Sequence, residues 1–104
     1  MIYSVQQIKF EIFQHIKEFG SNFQDWFVGI SSDPKHDLFN RHLVDKKEDI
    51  WLHKQAVSFA ACKNIQKYFL ENLKTDGEVI NDGKEDMNCI YLFKKSLNTN
   101  PSNK

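Results

Sequence analysis

The stretch Cys89-Ile90-Tyr91-Leu92-Phe93 is apolar on both sides of a strand: Cys89, Tyr91 and Phe93 face one way, Ile90 and Leu92 the other. A strand with two apolar faces belongs in the middle of a sheet, so the segment from Met87 to Lys95 is expected to be the central strand. Two other segments supply its neighbours. In Trp26-Phe27-Val28-Gly29-Ile30, Trp26, Val28 and Ile30 share one side and Phe27 and Gly29 the other. Gly29 has no side chain to pack, and so marks a place where another group comes close. Ile50 to Val57 alternates enough to form a third strand.

Three helices accompany these strands, one before each. Ser4 followed by Gln7 has the form of a capping box, and Val5, Ile8, Ile12, Ile16 and Phe19 then recur at the spacing of one buried helical face. This predicts a helix over 5–19, ended at Gly20. Asp33 and Pro34 form a second helix start, with Leu38, Phe39, His42 and Leu43 as the inner face of a short helix. Ser58 caps a third, whose apolar stripe is Phe59, Cys62, Ile65, Phe69 and Leu73. Gln66 interrupts that stripe, four residues after Cys62 and three before Phe69, and should point inward.

The segment Lys74 to Asn88 carries two Asp-Gly pairs and many acids, which marks a loop with at most a short excursion through Val79 and Ile80. The predicted architecture is α+β, in the order α-β-α-β-α-β, with three helices on a small, mainly antiparallel three-stranded sheet. Residues 1–95 form one domain, and the polar stretch 96–104 is expected to be a disordered tail. Nine phenylalanines in 104 residues make aromatic packing a large part of the core.

Fourteen basic residues balance fourteen acidic ones, so the strong positive footprint of a dedicated nucleic-acid binder is absent. Polar residues break up the N-terminal stretch, and no apolar run reaches the roughly 20 residues that span a bilayer. The expectation is a soluble, cytoplasmic protein with no membrane partner and with Cys62 and Cys89 as free thiols. Cys62 falls on an apolar stripe, where a thiol is a poor nucleophile. His15, His36, His42 and His53 lack the spacing of a helical zinc site and read as surface or half-buried histidines. Ser31 and Ser32 read as turn and capping residues.

As an ordered set, Phe27-Val28-Gly29 at a strand end, Asp33 and Leu38 four and nine residues beyond the glycine, and a helix cap eight residues before Gln66 resemble the GIY-YIG nuclease superfamily. The resemblance covers Trp26 to Leu73. It implies a tyrosine at Phe27, an arginine at Asp37 and a metal-binding glutamate at Gln66, and the first tripeptide has no counterpart. Arg41 lies one helical turn past Asp37. A neutral amide in place of a lone carboxylate forfeits most affinity for a divalent cation, so neither metal nor cofactor is expected.

The positions of interest are therefore Phe27, Gly29, Asp37, Arg41, His42 and Gln66, as a degenerate site with no catalytic residue assigned. The expected role is a non-catalytic domain that binds a protein partner or itself, with Trp26, Phe27, Trp51 and Tyr91 near its groove. One alternative is a divergent metal-dependent phosphodiesterase using Arg41, His42 or His53, with a histidine approaching Gln66. Another is sequence-tolerant nucleic-acid binding, if Lys35, Arg41, Lys54, Lys63 and Lys67 gather on one face.

Overall fold

The computed structural model describes residues 1–20 and 22–101. Helix α1 spans Val5–Phe19, strand β1 Trp26–Ser31, helix α2 Pro34–His36, strand β2 Trp51–Gln55, helix α3 Phe59–Lys67 and strand β3 Cys89–Lys94. The chain is α+β with its elements in the predicted order. All three predicted caps form: Ser4 accepts from the Gln7 N–H, Asp33 from that of His36 and Ser58 from that of Ala61. Both α2 and α3 run on into a wider π-type turn, over Asp37–Arg41 and Tyr68–Asn72.

The sheet order is β1-β3-β2 and both pairings are antiparallel, so the doubly apolar strand is central. Its two faces are covered differently. Trp26, Val28, Ile30, Ile90 and Leu92 pack with Ile8, Ile12 and Ile16 of α1 and with Cys62, Ile65 and Phe69 from α3 and its extension. Phe27, Tyr91 and Phe93, on the other face, pack with Leu38 and Val44.

An extended segment covers part of each outer edge of the sheet, at the start of β1 and at the end of β2. Along β1, the Val28 N–H donates to the Asp76 carbonyl (3.0 Å) and the Asp76 N–H to that of Trp26 (2.8 Å). Beside β2, the Tyr3 N–H donates to the Gln55 carbonyl (2.8 Å).

Several expectations change. No strand passes through Val79 and Ile80, although Asp76 forms a single parallel bridge to Phe27. Leu43 is exposed, because the chain leaves α2 there with a positive φ of 58° and buries Val44 instead. The segment after Lys95 was expected to be disordered, yet 96–101 are tied to the domain: the Asn100 N–H donates to the His42 carbonyl (2.7 Å) and the Asn98 amide to Asp49 (3.2 Å). Polar residues pack here because their own backbone and amide groups find partners. The rest of that expected tail, 102–104, lies outside the described residues.

Candidate functional site

Five of the six positions of interest meet on the sheet face beneath α2. Phe27 on β1 is buried and stacks on Tyr91 and Phe93 of β3. Its ring centroid also lies 4.6 Å from that of His42. Gly29 sits opposite Tyr91 in the sheet register, and the group that comes close to it is the Tyr91 ring, folded across the glycine. Trp26, Phe27 and Tyr91, expected near a groove, are core residues, and Trp51 is half-buried edge-on to Phe39.

The π-type turn ends with the His42 N–H bonded to the Asp37 carbonyl (2.8 Å), five residues back. Two polar side chains at this end of the turn meet Tyr91. The Arg41 Nη2 atom lies 3.1 Å from each of Glu78 Oε1, the Tyr91 hydroxyl and His42 Nε2. Its two hydrogens serve Glu78 and the Tyr91 hydroxyl oxygen, while the close His42 Nε2 has one lone pair, which Tyr91 uses. The Arg41 Nε lies 3.3 Å from Asp37 Oδ1, close enough for an ion pair but off line for a hydrogen bond.

His42 is completely buried, which corrects the expectation of a surface or half-buried ring. Its Nδ1 lies 2.7 Å from the Asn100 carbonyl and its Nε2 2.8 Å from the Tyr91 hydroxyl. A carbonyl only accepts, so Nδ1 carries the proton and Nε2 takes one from Tyr91. Burial pushes the His42 pKa below its ordinary 6.5; Arg41 lowers it further, against opposing contributions from the Asn100 carbonyl, Asp37 and Glu78. Burial also raises the Tyr91 pKa. Both groups are therefore neutral near pH 7, and both are out of reach of solvent.

A general base has to lie within hydrogen-bond reach of the group it deprotonates. His42 has its basic nitrogen occupied inside the core. Nor is the cluster suited to an anion, since Arg41 faces two carboxylates, Asp37 and Glu78. What the network does is tie the end of α2, the central strand, the 74–88 loop and the C-terminal segment to one another.

Gln66 lies across the sheet from this cluster. Its side chain is buried and its Nε2 donates to the Val28 carbonyl (3.0 Å) and the Glu78 carbonyl (2.9 Å). The amide thereby fastens the loop to the edge of β1 where Asp76 leaves off. Gly77 is part of the same closure, because a Cβ there would stand 2.6 Å from the Val28 carbonyl oxygen. Glu78 connects the two regions: its side chain meets Arg41 and its carbonyl meets Gln66. Glu78 was not singled out by the sequence, and Tyr91 was expected only as an aromatic near the groove. The Gly29-to-Tyr91 register would have pointed to the tyrosine, whereas nothing in the acidic loop singles out Glu78.

Among the described residues no group of three or more His, Cys, Asp or Glu side chains is placed to hold a metal ion. The free thiol of Cys62 is buried and pushed up to about 12. His53 stacks on Trp51 rather than on Gln66. The cations are divided: Lys63 and Lys67 line a groove along α3, Lys35 and Lys54 stand near His53, and Arg41 is held by its carboxylates. No helix of the described residues is long and apolar enough to cross a membrane. Comparisons with protein-family models, curated proteins and solved structures return no match.

The neutral histidine gives a pH dependence. Below pH 6.5 the unfolded chain takes up a proton at His42 that the folded chain refuses, so stability falls as pH drops from 6.5 toward the folded pKa. His15 and His53, also lowered mainly by burial, act in the same direction. The urea midpoint is expected to decline between about pH 7 and pH 5, and NMR should place the His42 midpoint below 6.5. A midpoint above 6.5 would contradict the buried neutral ring.

Proposed function

We propose that this chain is a non-catalytic binding domain, on a scaffold similar to the GIY-YIG class, that works by engaging a partner at its surface. The observation that supports this most is the use made of Gln66. At the position where a metal-binding carboxylate is implied by the resemblance, both amide hydrogens are committed to main-chain carbonyls. Phe27 brings no hydroxyl, and Asp37 is taken up by Arg41. The residues at the implied catalytic positions thus hold the sheet and its edge together.

The test is incubation of the purified protein with labelled DNA and RNA in magnesium or manganese, alongside calorimetry with the same metals. The nucleic acid is expected to stay intact and the metals to give no binding heat. Metal-dependent cleavage that disappears in Arg41→Ala would instead establish a phosphodiesterase.

A further inference from the structure

The segment 96–101 docks against the end of α2 through polar groups. None of its residues is buried, and Leu97 is fully exposed. Ser96 to Thr99 closes on itself: the Ser96 N–H donates to Thr99 Oγ1 (2.8 Å) and the Thr99 hydroxyl to the Ser96 carbonyl (3.0 Å). Asn100 and His42 then form a clasp of two bonds. The Asn100 N–H donates to the His42 carbonyl and the His42 Nδ1–H to the Asn100 carbonyl, both at 2.7 Å. A segment with so little buried surface belongs to the class that opens while the rest of a fold stays closed.

One half of this clasp titrates. The His42 ring is fully buried, with its Nδ1 edge toward 96–101 and its Nε2 edge toward Tyr91 and Arg41. A second ring proton would have to sit on Nε2, which accepts from the Tyr91 hydroxyl at 2.8 Å and lies 3.1 Å from Arg41 Nη2. The charged ring would turn the tyrosine from donor to acceptor and would face a guanidinium. Around the ring stand Arg41 and Asp37 from the end of α2, Tyr91 with the uncharged Phe27 and Phe93 from the sheet, Glu78 from the long loop and the Asn100 carbonyl. Both carboxylates are paired with Arg41.

The geometry points to an acid-released strap: when His42 takes up a proton, residues 96–101 leave α2 and the ring turns out to water while the sheet stays folded. In the closed form burial holds the ring below its ordinary 6.5. In the open form it is hydrated and titrates near that ordinary value. The proton therefore binds the open form better, and the open fraction grows as pH falls below 6.5. Opening uncovers the His42–Tyr91 pair.

The test is amide hydrogen exchange of the full chain, read by NMR between about pH 7 and pH 5 and corrected for the intrinsic exchange rate. Protection at Asn100 should fall about ten-fold or more over this range, one proton allowing at most about ten-fold per pH unit. It should fall further than protection at Leu92 in the central strand. His42→Asn keeps a donor for the Asn100 carbonyl but does not titrate, so in that variant Asn100 should follow Leu92. Linkage also runs in reverse. Asn100→Pro, which removes the N–H that holds the strap, should raise the His42 midpoint toward its ordinary value by about half a pH unit or more. This second variant decides the matter if His42→Asn does not fold.

A loss of protection at Asn100 no greater than at Leu92 overturns the inference, because acid would then loosen the domain as a whole or leave the strap in place. So does a pH-dependent opening that persists in His42→Asn, which would assign it to another group such as Asp49, the acceptor of the Asn98 amide. A His42 midpoint unmoved by Asn100→Pro overturns it as well.

Discussion

Gln66→Glu is expected to destabilise the protein by about 3 kcal/mol or more at neutral pH, because it places a buried carboxylate where two hydrogen-bond donors are required. In the native chain Nε2 bridges the Val28 and Glu78 carbonyls. An ionised carboxylate would set an oxygen against those oxygens, in a site with 3 % exposure. The loop at Glu78 would then lose its tie to β1, and with it the ion pair to Arg41.

The pH dependence of this variant separates electrostatics from packing. Burial beside two carbonyls raises the folded pKa of the introduced acid above its unfolded value of about 4.3. The protonated acid can donate one hydrogen bond, so the deficit relative to the native chain is smallest below about pH 4 and grows as pH rises through the folded pKa. The native chain slopes the other way, losing stability as His42 is forced to charge. Urea midpoints of both proteins across this range, at constant m, should therefore converge on acidification. If the variant matches the native midpoint near pH 7 and is stabilised further by magnesium, Gln66 is a displaced metal ligand and its role as an edge tie is wrong.

The contrast between what was and was not visible in the sequence follows from the range of each signal. Capping boxes and apolar periods act over three or four residues, and the caps at Ser4, Asp33 and Ser58 and the inward turn of Gln66 were all readable. The central strand was readable as well, since two apolar faces leave it no other place. The partners of the polar groups were not. Gln66 reaches a carbonyl 38 residues away, Arg41 a hydroxyl 50 away and His42 a carbonyl 58 away. Such bonds are decided by sheet register and by the path of a long loop. The same distance explains why 96–101 read as tail: their composition is polar, and the groups that bind them lie on the far side of the sequence.

Gly29→Ala is expected to cost about 3 kcal/mol, well above the effect of adding a methyl group to an open strand position. A Cβ at Gly29 would stand 2.2 Å from Cζ, 2.4 Å from the hydroxyl oxygen and 2.6 Å from Cε1 of Tyr91. A free tyrosine would swing aside. This one is 1 % exposed, packed by Phe27 and held through its hydroxyl by His42 at 2.8 Å and Arg41 at 3.1 Å. Making room for the methyl group therefore breaks the network that holds α2 and the C-terminal segment. A double-mutant cycle with Tyr91→Leu isolates the conflict, because leucine lacks the ring atoms that the Cβ would meet. Gly29→Ala should be neutral in that background, or slightly stabilising, since alanine loses less backbone freedom on folding than glycine. The coupling read from chemical denaturation then approaches the whole cost of the single change. Simple additivity would mean that the glycine serves the strand itself. Strong coupling would mean that it exists to let Tyr91 cross the sheet and bind His42, so that the feature which first looked like an opening for a ligand is filled by the protein's own ring.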